Sequence, residues 1–596
     1  MAQLPTTTNK PIEVQPPAAT VRGLTRVWKA RSAEKLQGEL IDRVLIARGI
    51  RPDDEGHAFL HPSLKAMHDP SGIPDLDKAA KRIRAAIEGD EPIVIFGDYD
   101  VDGVTASAIL IHMIRALAPD AKLSSYIPHR LDEGYGINSD AIRTLAQQGA
   151  RVIVSVDCGI TANEPATVAK ELGVDLIITD HHNPPETMDD LPDAFAVVHP
   201  RRPDSDYPFG ELCGAGVAYK LAWRLATLDA GERTVSPSMR TLLVDLLGFA
   251  ALGSIADIVP LVDENRVIVK HGLSRIPTLP NEGLQALIVA SGLDSEKIDT
   301  EAIGFRLAPR LNAIGRLGHA REALELMTDA TGERATQLAE QLSLVNDQRK
   351  KQELAIVTQA TEMAQKAGMC EDDQRAIVLA HEDWHPGIVG IVCSRLVDRF
   401  ARPTILMQRT PDACKGSGRS IDGFNLHGGL ESCKDLLASF GGHDMAAGMK
   451  CDPAQFDAFA EAFIAHANGH LKPSDLVHHA RYDCVADLRE LTPASLRQLD
   501  RIAPFGAGNR QVRLRINGLK VNGSPTPMGK TGNHLALRVG PRDQQGPMMR
   551  VVAWNWGRHF GDIPAGAPIE IIIEPKLSTW NGNTRVEPVL VDLRVV

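Results

Sequence analysis

Between residues 92 and 260 the chain repeats one rhythm: a short β-rich apolar run, a polar turn, then a helical pattern. The apolar runs fall at 92–96, 122–127, 152–156, 176–179 and 194–198, and 104–117 is a representative helix. Apolar strands alternating with helices predict a parallel, doubly wound α/β sheet covered on both faces. That prediction also says where to look for chemistry, because open parallel sheets take ligands at the carboxyl ends of their strands.

Three of those strand ends carry ionisable side chains. "IVIFGDYDVDG" supplies Asp98, Asp100 and Asp102, "VIVSVDCG" supplies Asp157, and "LIITDHHNPP" supplies Asp180, His181 and His182. Farther on, Asp257 follows the apolar run of "ALGSIADIVP". Any one of these aspartates has an ordinary reading as the cap of the next helix. The set does not, because one parallel sheet gathers its strand ends. Alternate side chains of extended chain share a face, so the first three aspartates can point the same way. Carboxylates crowded like this raise one another's pKa unless cations neutralise them. Mixed carboxylate and imidazole ligands without thiolate suit Mn²⁺ or Mg²⁺ better than structural zinc. The ligands suffice for two ions, which at about 3.5–4 Å separation activate water and stabilise both oxygens of an in-line phosphoryl displacement. The residues by themselves therefore point to a binuclear phosphoesterase.

At 596 residues the chain exceeds what one hydrophobic core serves. Residues 1–22 are polar and Pro/Thr-rich and are expected to be a disordered lead-in. Residues 23–270 hold a helical N-terminal segment and the α/β block. A helical connector spans 271–370, with 331–366 as a long connecting helix, and a second α/β block spans 371–475. From 476 to 596, "VRLRINGLKV", "HLALRV", "MRVVAW", "IEIIIEP" and "RVEPVLVDL" predict a small β-barrel of the OB type. From Arg481 onward 16 Lys and Arg face 10 Asp and Glu, although the whole chain carries −11. A basic β module on an acidic body suits a nucleic-acid partner. No uninterrupted apolar run of about 18–20 residues, the length of a membrane span, is visible. The first 20 residues lack the apolar core of a signal peptide. The eight cysteines are scattered without a CxxC pair, as expected of reduced thiols. A cytoplasmic protein away from membranes is the expectation.

"GDYDVDG", "VDCG", "TDHH" and "ADIVP" stand in the order of the motifs of the DHH phosphoesterase superfamily, which the chain resembles. The resemblance implies that Asp100, Asp102, Asp157, His181 and Asp257 are metal ligands, with Asp157 bridging. Phe96 stands where some members carry a ligand histidine, so Asp98 is assigned to help hold the first ion. His182, with Asp180, falls among the catalytic residues and orients a ligand or polarises the reacting phosphate. "GSGRS" (416–420) and "GGHDMAAG" (441–448) look like a DHHA1-type accessory domain. Their glycines let backbone N–H groups approach an anion, and Arg419 and His443 can donate to phosphate oxygens. Ser417, Gly441 and Gly442 complete that phosphate-binding set.

Longer stretches narrow the resemblance. "YIPHRLDEGYGI" (126–137), "LCGAGVAYKLAWRL" (212–225), "PRLNAIGRLG" (309–318), "WHPGIVGIVCSRL" (384–396) and "IAPFGAGN" (502–509) are similar to the superfamily's single-strand-specific 5′→3′ DNA exonucleases. This implies a groove between DHH and accessory domains into which the barrel feeds single-stranded DNA. It also implies release of 5′-mononucleotides in DNA repair and recombination, and places Arg130, Arg310, Asn312 and Arg316 at the 5′-phosphate or nearby backbone. The implied partners are a single strand with a 5′ end, a single-stranded-DNA-binding protein and a helicase. Two rival readings are a DHH phosphodiesterase for oligoribonucleotides or small signalling nucleotides, and a non-catalytic single-strand-binding scaffold. Two local motifs mislead. "HEDWH" (381–385) matches a zinc-protease pattern that requires a helix, yet it leads straight into Pro386-Gly387. "GSPTPMGKT" (523–531) resembles a phosphate-binding loop with one residue too many, and is read as a hairpin.

Overall fold

A computed structural model describes residues 20–596, apart from 33–35, 131, 232–233 and 581–582. The predicted lead-in lies outside the described residues up to 19, and Val21–Arg22 already form a strand. Two compact units emerge. One comprises Pro62–Leu471 with Pro504–Asn509; the other joins the residues up to His61 to Lys472–Ala503 and Arg510–Val596.

In the first unit the predicted rhythm becomes a five-stranded, wholly parallel sheet. Its strands Ile93–Gly97, Leu123–Tyr126, Val152–Val156, Asp175–Thr179 and Ala196–Val198 lie in the spatial order second, first, third, fourth, fifth. Ile93–Gly97 and Val152–Val156 are buried throughout, as continuous apolar runs must be when helices cover both faces. Helices Val101–Leu117, Gly214–Asp229 and Pro237–Ala256 pack together above the sheet and share its core. Pro237–Ala256 has the length and mean hydropathy (1.5) of a membrane span, although Arg240 and Asp245 break the apolar run in sequence. Its second half, Leu246–Ser254, is buried in the core.

The helical connector ends in one 35-residue helix, Gly332–Lys366. A second five-stranded sheet follows, in the order Ser439–Gly442, Ala446–Cys451, Cys414–Arg419, Thr404–Arg409, Ile377–His381. "HEDWH" falls between strand Ile377–His381 and helix Pro386–Phe400, with His385 as the helix cap, so its histidines never share a helix face.

In the second unit, strands Leu514–Val521, Pro568–Glu574, Val589–Val595, Met549–Ala553 and His534–Pro541 pair successively. The last pairs back to the first, which closes a five-stranded barrel. The loop-like "GSPTPMGKT" is indeed a hairpin, with Thr526–Met528 antiparallel to His534–Pro541.

The N-terminal segment was expected with the 23–270 block, but up to His61 it belongs to the barrel's unit. Strand Val27–Ala30 runs parallel to His479–Tyr482. Buried Asp592 accepts hydrogen bonds from Thr25 N (3.0 Å), Thr25 Oγ1 (2.9 Å), Arg26 N (3.0 Å) and Trp28 Nε1 (2.7 Å). Buried Asp483 pairs with Arg31 and Arg48, both at 3.0 Å. In the other direction, Pro504–Asn509 leaves the barrel's unit, and Ala507 O accepts from Leu261 N (2.8 Å).

Candidate metal centre and nucleic-acid groove

The strand order makes the site. Ile93–Gly97 and Val152–Val156 are spatial neighbours, and their outgoing chains diverge to leave a crevice at the topological switch point. Asp98 and Asp100 leave the first of these strands, Asp157 leaves the second, and His181 follows the adjacent strand Asp175–Thr179.

Three overlapping groups, each with ligand atoms mutually within 4.8 Å, could hold a metal: Asp98, Asp100 and Asp157; Asp102, His181 and Asp257; Asp157, His181 and His182. Their donors are carboxylate oxygen and imidazole nitrogen without thiolate, a set that suits divalent Mn²⁺ or Mg²⁺. Within them Asp98 Oδ1, Asp157 Oδ1 and His181 Nε2 are buried without a hydrogen bond. His181 Nε2 lies 3.1 Å from Asp157 Oδ1, 3.7 Å from Asp257 Oδ2 and 3.8 Å from Asp102 Oδ2. It is close to all three yet hydrogen-bonded to none, which fits atoms that face a shared cation. Burial, with Asp100 beside it, raises the Asp98 pKa; burial with Asp102 and Asp100 does the same at Asp157. Asp257 is pushed up to about 8 by burial and the same two neighbours. Burial lowers the His181 pKa against the pull of Asp102, leaving the neutral imidazole that binds metal.

Local backbone holds each group in place. Asp100 caps helix Val101–Leu117, accepting from Asp102 N (2.9 Å) and Gly103 N (3.1 Å). Its ordinary capping role and its place in the acidic group therefore coexist. Asp102 receives Gly214 N (2.6 Å) and Ala215 N (2.9 Å) at the start of helix Gly214–Asp229. Two glycines allow that approach: a Cβ on Gly214 would stand 2.6 Å from Asp157 Cβ, and one on Gly253 2.4 Å from Asp102 Oδ1. Asp157 adopts φ 63, a conformation that aspartate tolerates better than most residues. Phe96 is buried against Tyr126 and supplies no ligand.

Asp180 differs from its neighbours. Its Oδ1 accepts from His181 N (2.7 Å), His182 N (3.1 Å) and His182 Nδ1 (2.7 Å), and its Oδ2 from Ile160 N (2.9 Å). Burial would raise its pKa, but these donors hold it well below the usual carboxylate range. Burial likewise lowers the His182 pKa, and Asp180 more than reverses this, to about 9.

Family models match three segments: the DHH family, N-terminal domain (residues 92–252), the DHHA1 domain (373–468) and the RecJ OB domain (482–592). The chain is 38% identical over 559 residues to the single-stranded-DNA-specific exonuclease RecJ of Bacillus subtilis (strain 168), covering 93% of this chain and 68% of that one. The chain belongs to the RecJ family. Crystal structures of RecJ from Thermus thermophilus in complex with Mn²⁺ and with Mg²⁺ match with TM-scores of 0.77 and 0.71. Identities are 31% and 30%, over 93% of this chain and 75% and 74% of theirs.

Around the centre of this RecJ-family chain, Arg130, Arg316 and Arg419 have no carboxylate partner among the described residues. Arg130 lies over the Tyr99 ring (4.6 Å), Arg316 donates to Gly387 O (2.7 Å) and Arg419 to its neighbour Gly418 O (2.7 Å). Burial, then the charges of Arg130 and Arg349, lowers the Arg316 pKa to about 10. Arg419 and Ser417 face Gly390 of helix Pro386–Phe400, where a Cβ would meet Arg419 Nη2 at 3.2 Å and Ser417 Oγ at 3.4 Å. Gly441 and Gly442 end strand Ser439–Gly442, His443 opens the exposed turn to Ala446, and His443 Nδ1 meets Asn183 Nδ2 at 3.2 Å across from the DHH loop.

The other two residues expected at the phosphate make hydrogen bonds within the protein. Arg310 donates to Ser343 Oγ (3.0 Å) and Arg306 O (2.5 Å), and Asn312 Oδ1 accepts from Val101 N (3.1 Å), tying the connector to the aspartate loop.

Sequence reading passed over other contributors. Tyr135 places its hydroxyl 3.2 Å from both Asp157 O and His182 Nε2. His199 contacts His182 O (2.7 Å), and Arg201 donates to His181 O (2.6 Å). His199 follows strand Ala196–Val198, so the strand-end rule that found the aspartates also applies to it. In helix Gly332–Lys366 the buried stripe turns from apolar to Asn346, Arg349 and Glu353, a break visible in the sequence periodicity.

Proposed function

We propose that this chain is a metal-dependent exonuclease that degrades single-stranded DNA from its 5′ end, releasing 5′-mononucleotides with two Mn²⁺ or Mg²⁺ ions. The observation that carries the reading is the convergence of buried, unpartnered carboxylate and imidazole atoms beside arginines that lack carboxylate partners. The acidic half matches cations, and the basic half matches a phosphate. Asp98, Asp100 and Asp157 would hold one ion, and Asp102, His181 and Asp257 the other, with Asp157 shared. Bound there, the ions supply an activated water and neutralise charge that develops on the phosphate oxygens. Asp180 fixes the Nδ1 proton of His182 and keeps the ring cationic, so that Nε2–H can donate to a nonbridging phosphate oxygen. Asp180 is thus a positioning residue. Arg130, Arg316 and Arg419, with Ser417 and His443, would bind the terminal phosphate, whereas Asn312 orders the loop that carries Asp100 and Arg310 is held within the connector. The 5′ polarity and a place in repair and recombination come with the family. The eight free thiols suit the reducing cytoplasm.

The test offers 5′-labelled single-stranded DNA, matched duplex and a short oligoribonucleotide, each with Mn²⁺, Mg²⁺ or chelator. Metal-dependent mononucleotide release from the single strand, with duplex resistant, is the expected result. No release from the single strand would overturn the reading, and release from RNA alone would favour the oligoribonucleotide phosphodiesterase.

A further inference from the structure

Ile258 carries two costs that the fold does not repay. Helix Pro237–Ala256 is capped by Asp257, and Ile258 follows with φ 61, the left-handed conformation in which helices commonly end on glycine. A branched Cβ makes that conformation strained. Among the described residues, eight non-glycine positions have positive φ, and Ile258 is the β-branched one. The backbone around it is fixed. Asp257 N donates to Gly253 O (2.9 Å) and Ile258 N to Ile255 O (3.3 Å), while Val259 is buried and Leu261 is anchored by Ala507. Core packing could offset such strain, yet Ile258 is 68% exposed. Its neighbour Asp257 approaches His181 to 3.7 Å, so this strained apolar side chain stands next to the metal centre. Strain that folding does not explain concentrates at functional sites.

We propose that Ile258 is a base-contacting residue, offering an apolar surface to the nucleobase of the nucleotide whose phosphate occupies the Asp/His centre. The inference rests on the nuclease reading above. Isoleucine has nothing to offer a phosphate or a sugar hydroxyl. The apolar part of a nucleotide is the face of its base, and contact there tolerates any sequence because every base has such a face.

Ile258→Gly removes the side chain and suits the turn, and Ile258→Asn keeps bulk, tolerates the left-handed conformation and is polar. Each variant is compared with wild type on two 5′-phosphorylated oligodeoxynucleotides, one beginning with a normal nucleotide and one with an abasic tetrahydrofuran residue. With Mn²⁺, both variants are expected to lose about tenfold in kcat/KM on the normal strand, equivalent to 1.36 kcal/mol. They should lose little on the abasic strand, with an unchanged or higher Tm. Equal loss on both strands, or none on either, overturns the proposal. Fluorescence-anisotropy binding of the same strands in Ca²⁺ makes the comparison without turnover. Base-dependent binding that Ile258→Gly abolishes, in a wild type that releases nothing with Mn²⁺ or Mg²⁺, would refute the nuclease reading and leave the base contact standing.

Discussion

Asp180 accepts four hydrogen bonds, whereas Asp157, equally buried, leaves Oδ1 with none. On the proposed reading the contrast separates a side chain that positions from one that would bind metal. Asp157→Asn keeps the left-handed backbone while removing the charge. It should reduce turnover by about three orders of magnitude, a typical loss when a key electrostatic group is removed, without lowering the Tm of the metal-free protein. Asp180→Asn should release His182 from its pKa of about 9 towards the ordinary ~6.5. The alkaline limb of the pH–rate profile would then move down by a comparable interval. The crowded carboxylates also set a pH dependence of stability. Asp257 titrates near 8 in the fold and near ~3.9 unfolded, so the folded state binds more protons and stability falls as pH rises between those values. Asp98 and Asp157 shift in the same direction. Thermal melts of chelator-treated protein should show Tm declining from about pH 4 to about pH 8. The Tm gain on adding Mn²⁺ should grow over the same window.

Helices Val101–Leu117, Gly214–Asp229 and Pro237–Ala256 meet around the aspartates because small residues let them. Gly214→Ala or Gly253→Ala should destabilise by about 1–3 kcal/mol through overpacking, and weaken Mn²⁺ binding in calorimetry by displacing Asp157 or Asp102. At this scale the sequence was a good guide. The parallel sheet, the connecting helix and the barrel strands follow from local periodicity, and the acidic residues were legible because a strand end is a position that periodicity locates. Residue type was a poorer guide to partners. Arg310 and Arg316 lie six residues apart in one motif, yet Arg310 donates to Ser343 and Arg306 while Arg316 donates to Gly387 O and sits near Arg130, Arg349 and Arg419. Tyr135 reaches the site from a loop whose course no periodicity describes. The glycines that admit the aspartates gave no sign of it, since close approach is a property of two elements together.

At the scale of the chain, the N-terminal segment was the part that sequence reading misplaced. Its strand and its arginines find partners more than 400 residues away, and no local pattern records such a pairing. Deleting residues 1–31 removes the four donors to Asp592 together with the buried Trp28 ring that carries one of them. A loss of about 3–5 kcal/mol, the usual cost of losing a buried aromatic side chain, is expected, visible as early proteolysis of the barrel's unit while the sheet bearing Asp157 stays protected. The same clasp has a consequence in time. Thr25 must wait for Asp592, 567 positions later. At about 5–20 residues per second of synthesis, that wait lasts roughly half a minute to two minutes. Through that interval Trp28 lacks the carboxylate that receives its indole N–H, so a chaperone or the polypeptide's own solubility must cover the ring until Asp592 appears.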